Sequence, residues 1–104
     1  MTHEVALTEL RYILCRGLGR AEADARVEKL LSSGYLMVEE TSRLVAGAAD
    51  YKCERAVSLP DCFTLSLGRH LSVPALFAGR ERELLAEMER RAFDVEIQFL
   101  EDYA

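Results

Sequence analysis

The sequence contains no asparagine, and Gln98 is its only glutamine. Its basic side chains are almost all arginine. Scarce thermolabile amides beside abundant Glu and Arg fit a thermophilic source, and a GC-rich genome produces the same balance. Positive charge is in deficit: 13 Lys and Arg stand against 18 Asp and Glu, a formal net charge of −5. No basic stripe is visible, so phosphate attraction alone does not hold nucleic acid here. Chemistry on a polyanion would need cations between the acids and the phosphates. Cysteine is sparse and odd in number (Cys15, Cys53 and Cys62), with no CxxC pair. That argues against a disulfide framework and against a zinc site. The three read as small, mostly buried apolar residues in a reducing cytosol. No apolar run approaches the ~20 residues that span a bilayer, and no signal peptide is seen. The reading is therefore cytoplasmic, with no membrane partner. GxGxxG, P-loop and GxSxG motifs are missing. Ser58, Ser66 and Ser72 have no His–acid constellation, which makes nucleophilic hydrolase chemistry a poor fit. His3 and His70 lack partners at ligand spacing, and both are assigned to the surface.

What is present suits one small α/β domain. Half of the 104 residues are apolar, enough for a core with a thin stability margin. Residues 4–18 place Leu7, Leu10, Leu14 and Leu18 on one helical arc, with Gly17 and Gly19 as the stop. Residues 21–33 form a second helix with acids in its first turn and Gly34 beyond its end; the two make an αα-hairpin. Residues 35–39 (YLMVE) read as a strand. Residues 41–56 read as a helix capped by Thr41 or Ser42, with a small-residue face at Ala46, Ala48 and Ala49. A helix from Ser58 to about Leu71 follows, then a strand at 73–77 (VPALF) with Pro74 near its start. A charged helix at 80–92 and a strand at 95–100 (VEIQFL) close the chain. Strands alternating with helices predict a layered α/β domain with a mostly parallel sheet.

Four acids are candidates for chemistry. Asp61 lies three residues after Ser58, so S-x-x-D fits a capping box. An acid in a first helical turn is also kept ionised by the helix N-terminus, which suits a carboxylate that holds a divalent cation. Glu9 borders the apolar arc beside Val5 and Ile13, an uncommon place for an acid, and it also fits a surface acid paired with Arg16. Glu81 and Glu83 follow Gly79 just after VPALF. Ligands gather beyond the carboxyl ends of strands in open α/β sheets, while RERE equally fits a solvated helix face.

These segments together resemble the PIN-domain family. ELRYILCRGLGRAEADA resembles its acid-bearing helix and hairpin. AADYKCERAVSLPDCFTLSLGRHLSVPALFAGREREL resembles its A-x-x-x-K, S-L-x-D, helix and V-P-A-L-F strand. FDVEIQFLED resembles the closing strand of archaeal members, and the nearest likeness is to archaeal VapC-type toxins. The resemblance implies a PIN-like three-layer fold, a mostly parallel sheet flanked by helices. It implies a hydrolase: a Mg²⁺- or Mn²⁺-dependent endoribonuclease of a VapBC-type toxin–antitoxin system. Glu9 matches the family's helix acid and Asp61 the acid after S-L. The acid after the strand aligns with Gly79, so Glu81 is the nearest substitute, with Glu83 behind it. Glu9, Asp61 and Glu81 are thus the expected metal ligands and catalytic acids. The family's first strand, with its opening Asp, and most of its second strand have no counterpart. On this reading residues 1–104 are a single, partial, N-terminally truncated domain, whose activity the missing Asp puts in question. The alternative is a catalytically inactive module that homodimerises or binds an antitoxin protein.

Overall fold

The structure, a computed structural model, describes residues 1–34 and 36–103. The chain divides into two compact units, Met1–Thr41 and Ser42–Ala104.

The first unit runs β1 (Thr2–His3), α1 (Glu4–Leu18), α2 (Arg20–Ser32) and β2 (Val38–Glu39). β1 and β2 pair in parallel, Thr2 opposite Val38 and His3 opposite Glu39. Parallel strands need a long connection, and the helical hairpin supplies it. α1 has the expected bounds. Of the two glycines expected to end it, Gly17 stays inside, and Gly19 makes the stop at φ 88°, its N–H bonding the Cys15 carbonyl at 2.9 Å. An exposed ion pair, Arg11 to Asp24 at 2.6 Å, ties α1 to α2. Inside α2, Ala23 and Val27 are buried. α1 has no fully buried residue; on its expected apolar arc Leu7 and Leu14 are half-buried, while Leu10 and Leu18 are exposed. The strand expected at 35–39 is present at Val38–Glu39, and Tyr35 lies outside the described residues.

Two features of this unit depart from the sequence reading. β1 is too short for any alternation to reveal it. His3 is not a surface residue but is 1 % exposed. It is the N-cap of α1, where its Nδ1 accepts the Ala6 N–H at 3.0 Å, as a Ser or Asp oxygen ordinarily does. Burial lowers its pKa to about 4, so the ring stays neutral and Nδ1 stays an acceptor.

A 3₁₀ turn, Thr41–Arg43, leads into α3 (Val45–Glu54); α4 (Leu59–Leu71), β3 (Ala75–Phe77), α5 (Arg82–Arg90), β4 (Ile97–Phe99) and a 3₁₀ turn, Leu100–Tyr103, follow. The cap of α3 is Leu44, without a side-chain bond, not Thr41 or Ser42. Those two fall in the preceding 3₁₀ turn, which delays the helix. The small-residue face also shifts: Ala48 is buried, but Ala46 and Ala49 are exposed. Gly47 supplies the close approach instead. A Cβ there would collide with the Ser66 hydroxyl of α4, and that hydroxyl donates to the Leu44 carbonyl at 2.8 Å.

β3 and β4 pair in parallel, Ala75 opposite Ile97 and Phe77 opposite Phe99, with α5 as their crossover. Pro74 sits just before β3, where its missing N–H costs no ladder bond. The core of this unit gathers Leu44, Val57, Cys62, Leu65, Leu84 and Phe99. Cys62 alone of the three cysteines is buried; Cys15 is half-buried and Cys53 exposed, so the expectation of mostly buried thiols fails. Alternating helices and parallel strands give the α/β class that the sequence predicts, with the strands in two pairs. Among the described residues, no helix is long and apolar enough to cross a membrane.

Candidate functional site

α4 opens on a side-chain cap. Ser58 is its N-cap, in extended conformation, and its hydroxyl accepts the Asp61 N–H at 3.3 Å. Pro60 lies in the first turn, where a missing N–H costs nothing. Asp61 is therefore a cap-box residue through its backbone, and its carboxylate faces a different environment. Burial raises its pKa first. The Ser58 hydroxyl pulls it back, and the negative charge of Glu83 raises it again. Asp61 and Glu83 are thus close enough to repel each other.

Glu83 stands in the first turn of α5, and Glu81 is that helix's N-cap residue, whose side chain does not cap it. Both line a cleft of about 530 Å³ whose other walls are Lys52, Ala56, Val57 and Ser58. The β3 exit delivers the two glutamates, and the α3–α4 loop delivers Ser58. Lys52, in the last turn of α3, donates from Nζ to the Val57 carbonyl at 2.8 Å. That bond ties down the loop from which α4 starts.

Of the acids singled out in the sequence, Asp61, Glu81 and Glu83 belong to this one region, and electrostatics couples Asp61 to Glu83. Glu9 is half-buried on α1, in the first unit. Among the described residues, no three Asp, Glu, His or Cys side chains gather closely enough to hold a metal ion by themselves. A Mg²⁺ site asks for less: one or two carboxylates, with waters and substrate phosphates completing the shell. A carboxylate whose charge is disfavoured by burial, and further by a neighbouring acid, is a setting that a divalent cation relieves. The donor set fits such an ion.

Sequence reasoning placed Lys52 only as the K of A-x-x-x-K and gave it no role. It also missed Arg55, which is 7 % exposed. Arg55 donates to the carbonyls of Glu87, Arg91 and Ala92 at 3.1, 2.6 and 2.8 Å, satisfying the end of α5. Its guanidinium lies 3.8 Å from the centre of the Phe93 ring. Beside it, the Tyr51 hydroxyl bonds Asp94, and Arg69 covers the Tyr51 ring at 4.9 Å. A basic residue in the motif-poor stretch ERAV carries no signal that it will be buried.

The family profile described as PIN domain matches residues 1–95, nearly the whole chain. The chain belongs to the PIN-domain family. No curated protein and no solved structure matches it. Membership points to nuclease-type chemistry, often found in toxin–antitoxin systems, and PIN domains typically use divalent metal ions. For this PIN domain the candidate acids beside the α4 start are Asp61, Glu81 and Glu83.

Proposed function

We propose that this PIN domain is a cytoplasmic, Mg²⁺- or Mn²⁺-dependent endoribonuclease of the archaeal VapC type, paired with an antitoxin. The observation that carries the reading is Asp61, in the first turn of α4, within electrostatic reach of Glu83 in the first turn of α5, with the Asp61 pKa raised by burial and by this acidic neighbour. Asp61 and Glu83 would hold the cation, and Glu81 stands in the same cleft to orient its water or replace Glu83. Glu9 enters on the family resemblance alone. When bound, the cation supplies a water of lowered pKa and neutralises charge on the phosphate. The chain's own part is to fix the carboxylates: Ser58 anchors the turn that bears Asp61, and the exit from β3 positions Glu81 and Glu83.

Titration calorimetry with Mn²⁺ tests the reading on the parent chain, Asp61→Asn, Glu83→Gln and Glu9→Gln. The parent is expected to bind, and Asp61→Asn to lose at least tenfold in affinity and to lose RNA cleavage with it. Unchanged Mn²⁺ affinity in Asp61→Asn would remove Asp61 from the site.

A second reading, an inactive protein-binding module, draws support from α1. Tyr12, Ile13 and Leu18 on it are 44, 55 and 47 % exposed, more apolar surface than a solvated helix needs. Arg16 and Arg20 are exposed close by in sequence, which favours an acidic protein segment such as an antitoxin tail. Light scattering decides between that occupant and a second copy: a monomer alone that forms a 1:1 complex with antitoxin supports the first, and a homodimer the second.

A further inference from the structure

The cleft beside α4 has a charge problem that the acids alone do not solve. An RNA strand is a chain of phosphates, and Glu81 and Glu83 on the cleft wall repel them. One lining side chain has the opposite sign, Lys52. Lys52 is exposed as a residue, yet its Nζ is held in place by the Val57 carbonyl at 2.8 Å. An ammonium has three donors, and that carbonyl engages one. A compact point charge, pinned at the wall of an acidic cleft, has the chemistry to contact a phosphate.

We infer that Lys52 docks a phosphate of the RNA strand in the cleft, next to the phosphodiester presented to Asp61 and Glu83. The inference rests on the ribonuclease reading and deepens it by naming a substrate contact. The cation and Lys52 divide the work. A bound cation would offset the acids, and Lys52 would offer a fixed positive charge to the neighbouring phosphate. That division accounts for how a chain of net charge −5 engages a polyanion at this one place.

Fluorescence anisotropy with a labelled single-stranded RNA tests it across a salt series, with Ca²⁺ in place of Mn²⁺ to hold off cleavage. The parent, Lys52→Met and Lys52→Arg are compared. Each phosphate neutralised on a single strand contributes about 0.7 to the slope of log affinity against log salt. Lys52→Met is expected to bind RNA more weakly and to lower that slope by about 0.7, while Lys52→Arg keeps the parent slope. Mn²⁺ affinity measured by calorimetry should be the same in all three. A Lys52→Met slope equal to the parent's overturns the inference, even if the melting temperature falls, because Lys52 would then act only by holding the Val57 loop. Absence of RNA binding by the parent also overturns it. Failure of the cation reading looks different: the parent would bind no Mn²⁺ while the Lys52-dependent slope persisted.

Discussion

Single residues here do more than their types announce, and His3 is the clearest case. Histidine at an N-cap is uncommon, because the role ordinarily goes to an oxygen. At His3 the ring nitrogen accepts the Ala6 N–H, and protonation of that nitrogen would abolish the bond. The pKa of the buried ring is lowered to about 4 from an ordinary 6.5. The unfolded chain therefore binds a proton that the folded chain refuses between those values. Stability from this group is fully present above about 6.5 and is lost as pH falls towards 4. At about 1.4 kcal/mol per pH unit, the loss across that window is roughly 3 kcal/mol. His3→Asn keeps a cap acceptor and cannot titrate. Urea unfolding of both chains between pH 4 and pH 7 should show a steep decline for the parent, and a flatter one for the variant. Parallel curves would mean that His3 is protonated in the native state.

At the scale of elements, helix ends decide how well the sequence can be read. α1 and α4 were legible because their stops and caps are local: Gly19 beyond one, Ser58 before the other. α3 was misread at its start because a 3₁₀ turn consumed Thr41 and Ser42, and its packing face was misread because Gly47, not an alanine, meets α4. β1 spans two residues and so shows no period. The acids Asp61, Glu81 and Glu83 were visible as candidates, but the coupling of Asp61 to Glu83 depends on where the chain leaving β3 sets the first turn of α5, which no local pattern encodes. The end of α5 is the strongest example of such non-local dependence. Its carbonyls find their partner in Arg55, more than thirty residues earlier. Arg55→Met keeps much of the side-chain volume and removes every donor, leaving three carbonyls with lost bonds. At about 1 kcal/mol or more for each, the expected loss is roughly 3–5 kcal/mol, a marginal or unfolded second unit. Arg55→Lys reaches fewer carbonyls and should fall between. Denaturant midpoints, with an unchanged m-value to show that the same unit is unfolding, check the order. A neutral Arg55→Met would show that solvent satisfies the end of α5 unaided.

For the whole molecule, the test is whether a cation stabilises the fold. An acidic chain is under self-repulsion, and at Asp61 burial and the negative charge of Glu83 both disfavour the ionised carboxylate. Nonspecific relief by salt and specific relief by a bound ion differ in their concentration dependence. Salt screening changes stability gradually with ionic strength. A site saturates, and at a hundredfold excess over Kd it contributes about 2.7 kcal/mol. In a domain of this size that is roughly 10–20 °C in melting temperature. The parent chain at fixed ionic strength should therefore gain stability with Mn²⁺ along a logarithmic curve set by Kd, with Mg²⁺ acting at higher concentration. Asp61→Asn should start higher without metal, because a desolvated, repelled carboxylate is gone, and then gain nothing from Mn²⁺. Those opposite signs separate a ligand from a cap. Were Asp61 only a first-turn acid favoured by the helix N-terminus, Asp61→Asn would start lower, and Mn²⁺ would leave both chains unmoved.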